Sequence, residues 1–136
     1  MAVVTGKRGE NELEVMTRAK ELAAYTLNIC KQEKHFPKRD RWVLTQPIVR
    51  EALDACTCIR RANAVNVCTR EEYLYRHLQQ EEGYAHLEAL LMLIELTHET
   101  VGLEIHTVEV WTELAVKAEK KLFAWKKRDT ERFKDL

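Results

Sequence analysis

The sequence predicts an all-α protein, an antiparallel up-down-up-down four-helix bundle forming one domain over residues 1–136. Three observations carry this reading. Apolar residues recur at steps of three and four in four successive stretches. Only four Gly and two Pro punctuate the 136 residues. A content of 46% hydrophobic and 32% charged residues is that of a globular chain, which excludes collagen-like, linker-rich and disordered classes. Four amphipathic helices with short connections satisfy their apolar stripes most simply by packing each against its neighbours in sequence.

The first helix is expected at residues 10–34, after a polar leader, because Val15, Ala19, Leu22, Thr26 and Ile29 fall on one face. It should stop near His35-Phe36-Pro37, since proline pushes the residue before it out of the α region and has no amide hydrogen. The second helix is expected at residues 45–68, with Thr45 as its cap and Pro47 tolerated in the first turn. Its stripe, Ile48 or Val49, Ala52, Cys56, Ile59, Asn63 and Val67, is thin and made of small residues. Thr69 followed by Glu72 reads as a capping box opening a third helix at residues 70–101. The stripe there is Leu74, Leu78, Tyr84 or Ala85, Leu87, Leu91, Ile94, His98 and Val101, with Gly83 in the middle and Gly102 as the expected left-handed end. The fourth helix, residues 104–128, has the cleanest pattern: Glu104, Val108, Trp111, Ala115, Ala118, Leu122 and Trp125. Aromatic and small-residue surface left over from one bundle favours an oligomer.

The longest apolar run, residues 89–94, is far short of the ~20 residues of a membrane span. The opening MAVVTGKRGENE has no apolar segment of the kind a secretory signal needs, so a cytoplasmic location is expected. There Cys30, Cys56, Cys58 and Cys68 act as small apolar residues rather than as disulfides. Cys56 and Cys58 lie about 200° apart around a helix and cannot chelate one ion together. Glu95 and His98 have the Glu-x-x-His spacing of di-iron bundles, but a single copy does not make such a site, and Glu82 with His86 is no stronger. There is no serine and no Gly-rich phosphate loop, so no catalytic residues, metal or cofactor are expected and the protein is read as a non-enzyme.

Charge is segregated within a net charge of zero. Residues 71–109 carry nine Glu against one basic residue, Arg76. Residues 31–41 carry Lys31, Lys34, Lys38, Arg39 and Arg41 against Glu33 and Asp40, and residues 117–135 reach a balance of +4. One reading is solvated faces with weak i,i+4 pairs. The other is a phosphate-binding rim around Phe36 and Pro37, with Trp42 available to stack on a base. The acidic third helix would then attract a basic neighbour, either another copy or a partner protein.

The run Leu22-Ala-Ala-Tyr-Thr-Leu-Asn-Ile-Cys-Lys31, then His35-Phe-Pro-Lys38, then Trp42-Val-Leu-Thr-Gln46, resembles the small four-helix-bundle proteins encoded in intervening sequences of bacterial large-subunit ribosomal RNA genes. It is more similar to their relatives, the accessory variability determinant (Avd) proteins of diversity-generating retroelements. Phe36-Pro37-Lys38 matches the family hallmark between helices one and two, and Arg61-Ala62-Asn63 matches a polar-small pattern of both branches. Leu122-Phe-Ala-Trp-Lys126 looks like the Avd ending, while the Asn-Ile-Ala-Glu-Gly signature of the ribosomal branch is absent. The resemblance covers about residues 13–128. It implies a ring-like homopentamer that binds the retroelement's reverse transcriptase and template RNA and supports adenine-mutagenic cDNA synthesis without catalysing it. The chain departs from the typically strongly basic Avd proteins in its neutral charge.

Lys38, Arg39, Arg41, Arg50, Arg60 and Arg61 are the expected nucleic-acid or polymerase-facing surface, with Lys120, Lys121, Lys126, Lys127 and Arg128 as a second one. Their task would be pairing with phosphates or acidic protein surface. The competing functions are a helical protein-interaction scaffold without nucleic-acid binding, and a metal-binding bundle around Glu95 and His98.

Overall fold

The computed structural model describes the backbone of residues 2–136 and side chains from Glu14 onward. Four helices and no strand occur among the described residues: α1 (Ala2–Cys30), α2 (Gln46–Ala64), α3 (Arg70–Val101) and α4 (Ile105–Arg132). Each packs on its chain neighbours, and α4 closes the circuit against α1. No helix of the described residues is long and apolar enough to cross a membrane.

The α1 stripe is buried as its spacing predicts, through Val15, Ala19, Leu22, Thr26 and Ile29. Helical backbone begins at Ala2, so the expected polar leader is part of α1. The helix ends at Cys30, four residues before the expected stop. Turns closed by the His35 and Phe36 amides on the Gln32 carbonyl fold the chain back there, and Phe36 is driven into the core edge-on to Trp111, at 6.2 Å between ring centroids. The indole N–H of Trp111 donates to the Thr26 hydroxyl at 2.9 Å, and that hydroxyl donates to the Leu22 carbonyl at 2.7 Å. A buried tryptophan is thereby satisfied without water.

Thr45 is not a cap. The chain enters α2 through a 3-10 turn (Lys38–Asp40) and a π turn (Arg41–Thr45), and Thr45 itself has helical torsions with no capping hydrogen bond. Pro47 explains the wide turn, because it supplies no amide to an ordinary helical ladder at the start of α2. α2 stops at Ala64, short of the expected residue 68, and Val65 is extended. Its buried face is Ile48, Ala52, Ala55, Cys58, Ile59 and Ala62, displaced from the expected stripe so that Cys56 and Asn63 lie at its margin. These small residues let α3 approach closely at the buried Gly83.

The capping box of α3 is present: the Glu72 amide donates to the Thr69 hydroxyl at 3.2 Å, and the Thr69 amide donates to the Glu72 carboxylate at 2.9 Å. Gly102 ends the helix at φ 76°, in the left-handed region. The first half of α3 corrects the expected stripe. Leu74 and Leu78 are about half exposed, at 48% and 51%, while Arg76, Gln79, Gln80 and Gly83 turn inward. The reason lies on α4, which buries Asp129 opposite them. Arg76 donates to the two Asp129 oxygens at 2.6 and 3.2 Å, Gln80 donates to Asp129 at 2.8 Å, and Arg76 also reaches the Val65 carbonyl at 3.3 Å. One polar knot therefore joins α3, α4 and the α2–α3 connection. α4 otherwise buries Trp111, Ala115, Ala118, Leu122 and Trp125 as expected, and runs on to Arg132.

Candidate nucleic-acid interface

The first basic group sits where α1 turns into α2. Pro37 has extended torsions, φ −58° and ψ 151°, and neither the 3-10 turn nor the π turn that follow it buries a residue. Lys38, Arg39 and Arg41 are exposed. Trp42 and Val43 are the most exposed large apolar residues described, at 72% and 77%. Lys38 meets the Glu33 carboxylate at 3.6 Å, a pair so open to solvent that it contributes almost nothing. Beneath this rim lies a cavity of about 260 Å³ lined by Cys30, Lys31, Glu33, Phe36, Lys38, Arg41 and Thr45. Burial pushes the Cys30 thiol up to about 12, so it adds no negative charge to the cavity.

The second group runs down the outer face of α2. Arg50 and Arg61 are eleven residues apart, which brings them back to nearly the same helix azimuth about 16 Å along the axis. Arg60 is one residue aside, and all three arginines face solvent.

The α4 group divides. Lys120, Lys127 and Arg128 are exposed. Lys121 reaches Glu14 on α1 at 3.3 Å. Lys126 is withdrawn from the surface at 17% exposure, bonded to Glu81 at 2.7 Å, with its ammonium 5.2 Å from the Tyr84 ring centroid and 5.3 Å from that of Phe123. Its hydrogen bond holds the Glu81 carboxyl below the usual range. Lys126 thus joins α3 to α4 and offers little charge to a ligand. Of the eleven expected residues, Arg39, Arg41, Arg50, Arg60, Arg61, Lys120, Lys127 and Arg128 have no carboxylate partner among the described residues, whereas Lys38, Lys121 and Lys126 do.

Among the described residues no group of three His, Cys, Asp or Glu converges as a metal site. His98 has its Nδ1 3.0 Å from the Leu103 carbonyl, and His86 pairs with Glu51 at 2.6 Å rather than with Glu82. On α4, burial and then the nearby Glu88 carboxylate push the Glu119 carboxyl up to about 7. Of the residues that line the cavity, only Lys38 and Arg41 belong to the expected binding set; Lys31 and Thr45 are among those outside it. Lys31 was countable in the basic run, while Thr45 was masked by its reading as a cap. Comparison with known proteins gives no match: no family model, no curated protein and no solved structure is significantly similar to this chain.

Proposed function

We propose that this chain is a non-catalytic accessory protein of a diversity-generating retroelement, an Avd-like bundle that binds reverse transcriptase and template RNA as a homo-oligomer, a pentamer by its resemblance. The observation that carries the RNA-binding half is the set of eight exposed Arg and Lys side chains without a carboxylate partner among the described residues, one of which, Arg41, directly precedes an indole at 72% exposure. Free cations release counterions from RNA and give affinity without sequence reading, and an exposed aromatic adds stacking.

The proposed topology is antiparallel up-down-up-down. Glu14 lies by Lys121 while Thr26 lies by Trp111; Tyr73 lies by Thr130 while Tyr84 lies by Phe123; Glu51 lies by His86 while Val65 lies by Arg76. In each of these three pairs residue numbers rise along one helix as they fall along the other, which supports the antiparallel reading.

A protein-only scaffold is the second reading, and the outer face of α3 favours it. Leu74, Leu78, Met92 and Leu96, each 40% exposed or more, recur on the azimuth opposite the buried face. Exposed Glu71, Glu81, Glu82, Glu88, Glu95 and Glu99 lie along the same helix. A stripe of that kind fits a basic amphipathic helix. Two measurements on the purified chain separate the readings. A solution mass five times the 16.0 kDa chain, with RNA retained at low salt and released steeply as salt rises, supports the accessory role. A monomer that retains no RNA at low salt contradicts it.

A further inference from the structure

The seam between α3 and α4 carries three rungs in register. On α3, Glu81, Tyr84 and Glu88 follow at steps of three and four and share one face; on α4, Lys126, Phe123 and Glu119 do so in the opposite direction. The first rung is an ion pair, Glu81 with Lys126 at 2.7 Å. The second is the ring pair Tyr84 and Phe123, with centroids 6.3 Å apart. The third sets Glu119 against the exposed Glu88, their carboxyls close enough to share a hydrogen bond, and neither meets a cation among the described residues. Two carboxyls stand where the first rung has a carboxylate and an ammonium. Burial and the Glu88 charge push the Glu119 carboxyl up to about 7, so the pair keeps a proton on about half of the molecules at neutral pH.

A cavity of about 300 Å³ opens at the second and third rungs, lined by Tyr84, Glu119, Lys120 and Phe123. Lys120 forms no ion pair with either carboxyl among the described residues. The first rung shows what these rings accept: the Lys126 ammonium lies 5.2 Å from the Tyr84 centroid and 5.3 Å from that of Phe123. On the Glu88 and Glu119 side, rings and carboxyls are in place and the described residues supply no cation.

From this arrangement we infer that the cavity at Tyr84 and Phe123, with Glu88 and Glu119 at its edge, binds the guanidinium of an arginine carried on a basic helix of a partner protein. The inference rests on the reading of the outer face of α3 as a protein-binding surface, and it names the side chain that anchors the partner there. A planar guanidinium donates to two carboxylates at once and stacks on an aromatic ring, which a compact ammonium does not do. Charge complementarity sets the kind of partner. Glu88 is one turn from Met92 on the same exposed face as Leu78 and Leu96, and residues 71–109 carry nine Glu against one basic residue. A helix that covers those apolar side chains therefore runs beside the cavity and has to be basic. The guest takes the place of the shared proton, so binding releases a proton and tightens as pH rises through about 7. Glu88 is the charged group acting on Glu119 from α3, and Tyr84, raised above its ordinary value by burial and by the two carboxyls, stays neutral over that range.

The test uses the full chain, with ethylguanidinium as the minimal probe and a synthetic amphipathic helical peptide, leucines on one face and arginines beside them, as the partner mimic. Calorimetry reads affinity and proton release between pH 5.5 and 8, and NMR follows the Tyr84 and Phe123 rings. We expect the peptide to bind about tenfold more tightly at pH 8 than at pH 5.5. At pH 8, Glu88→Gln and Glu119→Gln should each weaken binding about tenfold, and Glu119→Gln should abolish the pH dependence. Both remove a charge from a like-charged pair, so neither threatens the fold. Glu113→Gln, at an exposed carboxylate on another face of α4, should change nothing. Peptide affinity and pH profile unaltered in both Glu88→Gln and Glu119→Gln overturn the arginine site and leave α3 standing as a protein-binding face. If wild type binds no peptide, that reading of α3 falls, and ethylguanidinium still decides the cavity: ring resonances that move support the guanidinium site, and resonances that stay overturn it. Spermidine binding more tightly than the peptide, or a solution mass that drops in the Glu88→Gln, Glu119→Gln double variant, overturns the partner protein as occupant in favour of a polyamine or a second copy.

Discussion

Arg76 and Arg41 are the same side chain put to opposite uses. Arg76 is buried at 3% exposure, bidentate on Asp129, and has its guanidinium carbon 4.8 Å from the Trp125 ring centroid. Arg41 projects from a turn into solvent beside Trp42, with no carboxylate partner among the described residues. The first is committed to holding three segments together, and the second is available. The contrast shows why a count of basic residues says little about binding: what matters is whether the fold has already supplied the counter-charge. Lys126 makes the point within one cluster, since it is spent on Glu81, Tyr84 and Phe123 while its neighbours Lys127 and Arg128 remain in solvent.

Breaking the buried half of the comparison has the largest expected effect. Asp129→Ala removes the bidentate carboxylate from a charged arginine in the interior, which costs about 3–5 kcal/mol; urea denaturation should read this, and RNA affinity of the folded fraction should not change. At the exposed half, the double substitution Arg39→Glu and Arg41→Glu should do the reverse, leaving stability within about 0.5 kcal/mol while RNA affinity at moderate salt falls tenfold or more. A loss of stability as large as that of Asp129→Ala would erase the distinction between the two sites.

Smaller effects sharpen the account of the α2–α3–α4 packing. Glu119 titrates at about 7 in the folded chain against an ordinary 4.5. A carboxyl raised on folding stabilises the protein fully below its unfolded value, and that contribution is lost as pH rises through the folded one. Glu119→Gln should therefore be close to neutral at pH 4 and stabilise by about 1 kcal/mol at pH 8, after discounting for partial solvent screening. Thermal melts at the two pH values check the sign. Gly83→Ala is the mildest case. A β-carbon there would meet Cys58, Ile59 and Leu122 at 3.5 to 3.6 Å, ordinary contact distances, so the gain in helix propensity should stabilise by about 0.5–1 kcal/mol. A destabilised Gly83→Ala would mean that the helices sit closer than described.

How much of this was legible in the sequence differs by helix, for physical reasons. The stripes of α1 and α4 could be read because their partners are apolar and a period near 3.6 marks the buried side. The first half of α3 could not. Its inward residues are Arg76, Gln79 and Gln80, and the cause, Asp129, lies about fifty residues further on, beyond any local window. That reversal also leaves Leu74 and Leu78 outside. At the interface, the exposure of Arg39, Arg41, Arg50, Arg60 and Arg61 follows from their type and position. The partners of Lys121 and Lys126 come from other helices and are visible only in three dimensions. Thr45 was misread because a threonine two residues before a proline has the local signature of a cap, and only the π turn reveals that its hydroxyl is idle.

The central claim is that cations left without counter-charges by the fold bind RNA. Its most direct measurement is the slope of log affinity against log salt for a single-stranded RNA, in wild type and in the Arg39→Glu, Arg41→Glu double variant. The account predicts a steep negative slope, with about 0.7 per phosphate engaged, made shallower in the variant. A shallow slope in wild type, or one identical in both proteins, would contradict it.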